Sequence, residues 1–207
     1  MKSLSSPQTL LLLAFAAFCS CEKDVTPPPT PTTTTTVTST GPSWHQYKDT
    51  AAMTYQVVFY KSSTREPLTL TTHSCYLSSG TGSSNMMARS KIVNSEYVVF
   101  DGEETSATAA QATHFFPNDL YGKGLTTVPS NASCVIMDED GNSLWLHLEY
   151  GFFSQTVPGR RNFQGKSSVI GGTGKFAGAH GELTTRGYFS NGSKNDAAIG
   201  HFGKIWY

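Results

Sequence analysis

From residue 44 onward, apolar and polar residues alternate with a period of two along most of the chain. In the clearest stretch, residues 144–150, one face holds Leu144, Leu146, Leu148 and Tyr150, and the other holds Trp145, His147 and Glu149. A second stretch, 53–60, places Met53, Tyr55, Val57 and Phe59 on one face. Because successive side chains of a strand point to opposite faces, both stretches are predicted to be half-buried β-strands. Further strands are predicted at Leu68–Thr72, Lys91–Phe100, Lys166–Ile170, Gly181–Phe189 and Ala197–Trp206.

Turn signals separate these strands, and helical patterns are scarce. The acidic segment Asp138–Asn142 favours a tight turn, because Asp, Asn and Gly tolerate a positive φ. It lies between Val135–Met137 and the strand that begins at Leu144, so these segments are predicted to form a β-hairpin. The Ala-rich segment Ser106–Ala112 is predicted to be one short helical turn or a loop. Many strands separated by glycine-rich turns indicate an all-β domain, either a sandwich or a closed barrel.

The N-terminus has the pattern of an export signal. A charged start precedes the apolar run Leu10–Phe18, which is shorter than the ~20 residues that span a bilayer. The run leads to Ser20 and Cys21, which resemble a bacterial lipobox, where the cysteine is lipidated and begins the mature protein. Ser20 is small enough to precede the cleavage site, whereas Cys19 would follow a bulky phenylalanine. We therefore expect a signal peptide over 1–20 and a lipid anchor at Cys21. The expected location is the bacterial outer membrane, facing the cell surface or the periplasm; a plain signal peptide cut nearby is the alternative.

A segment of different composition follows the predicted anchor. Residues 21–43 are rich in Pro and Thr, with a run of threonines at Thr32–Thr36. Clustered prolines remove backbone donors and favour the extended polyproline II conformation. This segment is expected to be a disordered tether that extends by ~3 Å per residue. Residues 44–207 have the length of a single domain.

Charge, histidines and cysteines exclude several classes of function. The chain has 15 basic and 15 acidic residues and no basic stripe, so nucleic acid is not an expected partner. Its six histidines lack the spacing of a metal site, and there is no nucleophile elbow, so neither a metal nor another cofactor is expected. Cys75 and Cys134 either form one disulfide, which an exported domain tolerates, or are two separately buried thiols.

The most distinctive motif is a glycine-rich string over residues 168–182. It is not a P-loop, because Val169 and Phe176 stand where that motif needs Gly and Ser or Thr. It is not a dinucleotide fingerprint, because a predicted strand follows it where that fingerprint needs a helix. The string does resemble the signature of the allene oxide cyclase and dirigent superfamily, matched by Gly171, Gly172, Thr173, Gly174, Phe176, Gly178 and Gly181. Such glycines allow a tight corner between two strands, and Phe176 would close the barrel end.

The resemblance covers roughly Ser133–Tyr207 and implies both a fold and an activity. It implies one closed antiparallel β-barrel of about eight strands, and a homotrimer as the expected assembly. Members of that superfamily hold a reactive small molecule in one conformation without a cofactor. An apolar small-molecule ligand is therefore expected, and an enzyme of this kind would be a cofactor-independent cyclase or isomerase. A non-catalytic carrier and an interaction module with a filled barrel are the alternatives.

The candidate catalytic residues lie on the predicted strand 144–150. If the barrel is hollow, His147 and Glu149 could face the cavity and act as acid and base. If the leucines fill the barrel instead, both residues lie on its outer surface. A second set of residues shares one strand face, which is more simply explained as solvated: Glu182, Thr184, Arg186 and Tyr188.

Overall fold

The computed structural model describes residues 43–59, 74–100, 105–190 and 192–207. The predicted signal peptide, the anchor at Cys21 and all of the tether before residue 43 lie outside these ranges. The predicted strand Leu68–Thr72 also lies outside them. No helix in the described ranges is both long and apolar enough to cross a bilayer.

The described part of the chain forms nine strands, two short helices and one 3-10 turn. The strands are β1 (Trp44–Phe59), β2 (Ser74–Ser84), β3 (Ser90–Phe100), β4 (Thr105–Ala109), β5 (Cys134–Met137), β6 (Ser143–Val157), β7 (Arg160–Thr173), β8 (His180–Ser190) and β9 (Ser193–Trp206). The helices are α1 (Ala112–Phe115) and α2 (Pro117–Tyr121), and the 3-10 turn is Gly174–Phe176.

These strands close into an antiparallel β-barrel with eight positions. β1 pairs with β2 and β9, and the order continues through β8, β7 and β6. Two short strands, β4 and β5, share the position between β6 and β3. β5 pairs with both neighbours toward one end of the barrel, and β4 pairs with both toward the other end. The ninth strand is therefore an extra one within an eight-stranded barrel. The predicted all-β fold and closed barrel are confirmed.

The predicted hairpin is confirmed, whereas the predicted turn or loop at Ser106–Ala112 is wrong. Val135 and Ile136 pair with the start of β6, and Asp138 Oδ1 accepts the backbone N–H groups of Asp140 and Asn142 at 3.0 and 2.9 Å. Most of the Ala-rich segment belongs to β4, which is hydrogen-bonded between β3 and β6. Pairing with two neighbours therefore outweighs the helical preference of alanine there.

Large apolar side chains fill the barrel interior toward one end. They include Ile92, Ile136, Leu144, Leu146, Val169, Leu183 and Ile205, all of which are buried. Burial of each such side chain contributes about 1.5–3 kcal/mol. The sequence left open which face of β6 points inward; in the structure its leucines do, but Tyr150 does not and is 56% exposed. A register shift between Leu148 and Tyr150 reverses the alternation of the strand there.

The glycine motif forms the corner between β7 and β8. Gly174 has a φ of 59°, and a Cβ at this position would come within 2.1 Å of the Asn142 side-chain oxygen, so a larger residue would clash. Asn142 Oδ1 also accepts the backbone N–H of Lys175 at 3.0 Å, which ties the corner to the β5–β6 hairpin. Phe176 follows in the 3-10 turn and is fully buried in the interior cluster.

Candidate functional site

A belt of polar side chains crosses the otherwise apolar barrel interior. It is formed by Tyr47 and Asp49 on β1, Asn94 and Glu96 on β3, Cys134 on β5 and His201 on β9. All six side chains are buried, and each belongs to the inward-facing set of its strand. Polar groups in such a position are costly to bury unless they are paired, so their partners decide what the belt can do.

Asp49 and His201 form the centre of the belt. His201 Nδ1 lies 2.9 and 3.1 Å from the two carboxylate oxygens of Asp49, and the His201 backbone N–H also donates to Oδ1 at 2.8 Å. The Tyr47 hydroxyl donates to Asp49 Oδ2 at 2.9 Å. Burial by itself lowers the pKa of His201, but the charge and hydrogen bond of Asp49 outweigh it and raise that pKa to about 10. The pair is therefore a buried aspartate–imidazolium ion pair at neutral pH.

Cys134 completes a Cys–His–Asp line but is not activated in this state. Its Sγ lies 4.0 Å from His201 Nε2, on the opposite side of the imidazole from Asp49. Burial raises the pKa of the Cys134 thiol, and the neighbouring imidazolium offsets this only in part. Because the thiolate is the nucleophilic form, this arrangement is a stable buried network and not a primed nucleophile.

Glu96 is the acidic residue of the belt that has no cationic hydrogen-bond partner. Asn94 Nδ2 donates to its Oε1 at 2.9 Å. Burial raises the pKa of Glu96 to about 7, while the Asn94 hydrogen bond and the charge of His201 hold it lower than burial alone would. A carboxyl group with such a pKa is protonated in a substantial fraction of molecules at neutral pH, so it can both donate and accept a proton.

Glu96 and Asn94 line a small cavity at the end of the barrel opposite Phe176. The cavity has a volume of about 50 Å³. Five inward-facing aromatic rings surround it: Tyr55, Tyr76, Phe153, Phe163 and Phe189. Their centroids lie close together, for example 4.8 Å between Tyr55 and Phe189 and 4.9 Å between Phe153 and Phe163. We call this region the aromatic end.

The aromatic end is joined to the buried ion pair through the strands. On β9, Ile199 and Ala197 line the cavity, and His201 is the next inward-facing residue beyond Ile199. Asn94 lies opposite Cys134 in the pairing of β3 with β5. Going from the aromatic end toward Phe176, Glu96 is therefore the first carboxyl group inside the barrel. The Asp49–His201 pair lies further along the same interior. A perturbed carboxyl at the floor of an apolar cavity has the character of a functional site.

His147 and Glu149 do not lie at this site. The leucines of β6 face the interior, so these two residues point outward. His147 Nδ1 lies 2.7 Å from the Asn131 carbonyl oxygen, and Glu149 accepts a hydrogen bond from the Ser168 hydroxyl at 2.6 Å. The hypothesis that the pair acts as acid and base within a cavity has no support from this placement.

Cys75 and Cys134 are both free, buried thiols, so the disulfide alternative is not realised. Along β3, Cys75 lies opposite Tyr97, whereas Cys134 lies opposite Asn94, three residues away. An odd offset places the two side chains on opposite faces of the sheet, and only Cys134 points into the barrel. Burial raises the pKa of Cys75 to about 12.

Sequence reasoning missed the inward-facing acids and His201, although a weak signal was present. Asp49 has the same parity as the buried Tyr47, Ala51 and Met53. His201 likewise alternates in phase with Ile199 and Ile205. A polar residue on the apolar face of a predicted strand is the pattern that would have identified both.

Comparisons of the chain with protein-family models, with curated proteins and with solved structures found no match. Within the described ranges, no group of three or more His, Cys, Asp or Glu side chains is arranged to hold a metal ion.

Proposed function

We propose that this protein is a lipid-anchored barrel that binds a small apolar molecule at the aromatic end and steers its isomerisation or cyclisation without a cofactor. The observation that carries the proposal is the position of Glu96 on the floor of a cavity lined by five inward-facing aromatic rings. Apolar walls with a few convergent polar groups are typical of small-molecule sites. The glycine motif, which resembles that of the allene oxide cyclase and dirigent superfamily, also supports this function.

The small volume of the cavity limits the size of ligand that can enter without movement of side chains. Its volume is about 50 Å³. A cavity of about 150 Å³ is known to bind benzene, so a ligand with one ring requires side chains at the aromatic end to move aside. Tyr76 and Phe153 are only partly buried, so they can turn outward. β1 and β3 both end at this end of the barrel, at Phe59 and Phe100.

The chemistry of the site follows from Glu96. A carboxyl with a pKa of about 7 can give a proton to one atom of a bound molecule and take one from another. Net transfer of a proton along the ligand, with no change in oxidation state, is an isomerisation. The aromatic rings exclude water and hold the ligand in one orientation, which favours a single product.

Methionine methyl NMR tests binding directly, because the chain has methionines both at the site and away from it. Met53 lines the cavity, whereas Met137 lies in the separate cluster beneath the helices. Titration of the full chain with phenol should shift the Met53 methyl signal and leave that of Met137 in place. Toluene, which lacks the hydroxyl group, should bind roughly fivefold more weakly, since one hydrogen bond is worth about 1 kcal/mol.

Two variants control this experiment. Ala197→Leu adds bulk to the cavity wall and should abolish the Met53 shift, whereas Ala177→Leu changes an exposed alanine and should not. Binding at the aromatic end is refuted if phenol leaves Met53 unmoved, or if the Ala197→Leu protein responds as the unmodified protein does.

The packing of the barrel favours a second candidate function, an interaction module that works through its outer surface. The half of the interior near Phe176 is filled by large apolar side chains. The outer surface carries a groove of about 520 Å³, which is larger than the inner cavity. Failure of phenol and toluene to reach Met53 would favour this candidate.

A further inference from the structure

A groove crosses the outer face of β1, β8 and β9, on the side of the sheet away from the aromatic end cavity. Its volume of about 520 Å³ falls within the range of about 300–1,000 Å³ that is typical of ligand sites. Ala198 and Gly200 form the floor, so no large side chain fills it. Tyr188 and Phe202 stand at its sides.

Phe202 forms a flat platform in this groove. Gly200 lies two residues earlier on the same face of β9, and a Cβ there would meet the Phe202 ring at 3.0 Å. The ring therefore lies along the strand over the bare backbone of the glycine. A ring held flat in this way presents its negatively polarised face to a ligand that passes along the groove.

The groove has an excess of positive charge. Arg186 lines it and has no carboxylate partner among the described residues. The guanidinium of Arg160 lies 3.5 Å from the Tyr188 ring centroid, and Lys48 Nζ lies 5.8 Å from that of Phe202. No acidic residue is among the lining residues of the groove. An anionic group is therefore the complementary partner.

Two carboxylates near the groove do not pair with Arg186. Glu182 is paired with Lys166, whose Nζ lies 3.1 Å from its Oε1. Asp196 accepts a hydrogen bond from the Ser190 hydroxyl. Neither carboxylate is among the lining residues of the groove, although Glu182 lines the depression that adjoins it.

The groove continues into a second depression, which makes the surface suitable for an extended ligand. This depression has a volume of about 270 Å³ and shares Thr184 and Phe202 with the groove. It adds two exposed rings, Tyr150 and Phe152, the polar side chain of Gln164, and the ion pair between Lys166 and Glu182. Aromatic rings thus lie among hydroxyl and amide groups across five strands, β1 and β6 to β9.

We propose that this outer groove binds an acidic oligosaccharide. The apolar faces of its sugar rings pack on Phe202 and Tyr188, its hydroxyl groups bind Thr50 and Thr184, and a carboxylate pairs with Arg186. A peptide that adds a strand needs a free sheet edge, which a closed barrel does not offer. Nucleic acid needs a larger basic surface than this chain of zero net charge provides.

Calorimetric titration of the full chain with a galacturonic acid oligomer tests the proposal, with a neutral glucose oligomer of equal length as the comparison. The acidic oligomer should bind, and the neutral one should bind at least roughly tenfold more weakly. Arg186→Gln should weaken binding of the acidic oligomer roughly tenfold, as expected for loss of a charge-assisted hydrogen bond. Phe202→Leu keeps the apolar volume, removes the ring face and should weaken both oligomers.

Arg89→Gln is the control, because Arg89 is also an exposed arginine, with 83% of its side chain accessible, and it is not among the lining residues of the groove. It should leave both affinities unchanged. The proposal is overturned if neither oligomer binds, if both bind equally, or if Arg89→Gln and Arg186→Gln have the same effect. None of these variants touches Glu96 or the inner cavity, so the result is independent of whether the barrel binds a small apolar molecule.

Discussion

Replacement of Glu96 by Gln should change how the stability of the barrel depends on pH. Gln is close to isosteric, and its carbonyl oxygen can still accept the hydrogen bond that Asn94 donates to Glu96 Oε1. It cannot ionise. The substitution therefore removes the titration of the buried carboxyl and leaves the packing of the belt in place.

The direction of the effect follows from the pKa of Glu96 in the unfolded chain and in the folded protein. Burial raises the pKa of Glu96 from 4.5 to about 7. A carboxyl whose pKa is raised in the folded protein contributes stability that is fully present below pH 4.5 and is lost as the pH rises toward 7. At about 1.4 kcal/mol per pH unit, this loss amounts to about 3 kcal/mol. The Glu96→Gln protein should not lose this free energy of unfolding between pH 4.5 and 7.

Urea unfolding at pH values from 4 to 9 measures this difference. The free energy of unfolding of the unmodified protein should fall, relative to that of Glu96→Gln, by about 3 kcal/mol between pH 4.5 and 7. His201, the nearest charged group, titrates in both proteins, so its contribution largely cancels in the comparison. Glu139→Gln alters an exposed carboxylate and should follow the unmodified protein. Parallel curves for the unmodified and Glu96→Gln proteins would refute a buried, titrating Glu96.

Three further substitutions test other parts of the structure. Asp49→Asn removes the negative partner of buried His201 and should lower the free energy of unfolding in urea by about 3–5 kcal/mol. NMR titration of the same variant should show a lowered pKa of His201. An unchanged pKa of His201 would contradict the ion pair. Phe176→Ala leaves a cavity at the closed end of the barrel and should lower the free energy of unfolding by about 3–5 kcal/mol in the same assay. Tyr121→Ala, which removes a half-exposed ring on α2, is the control and should change stability little. Cys21→Ser, expressed in bacteria that process lipoproteins, should yield protein without the added acyl mass on mass spectrometry; unchanged membrane association would contradict the anchor at Cys21.

The roles of the inner cavity and the outer groove can be separated because they lie on opposite faces of the same strands. On β9, Ala197 lines the cavity and Phe202 lines the groove. Substitutions at one face leave the other face in place, provided that the strand still pairs. A ligand bound at one site can therefore be assigned from the variants that abolish its binding.

The alternation of side chains along the strands determined a large part of this fold from the sequence. The period of two in β6 identified a strand whose leucines share one face, and that face is the one buried in the barrel. The turn at Asp138–Asn142 was also evident, since its residues stabilise the hairpin locally. Both features depend on interactions between near neighbours in the chain, which sequence patterns record.

The site was decided by the tertiary structure. Asp49 and His201 are 152 residues apart in the chain, and only closure of the barrel through the pairing of β1 with β9 brings them within hydrogen-bond distance. The register shift after Leu148 turned Tyr150 outward, because one irregular residue reverses the phase of everything beyond it. Sequence alone established which faces are apolar. Which polar residues meet inside the barrel depended on strand order and register, because those contacts join residues that are distant in the chain.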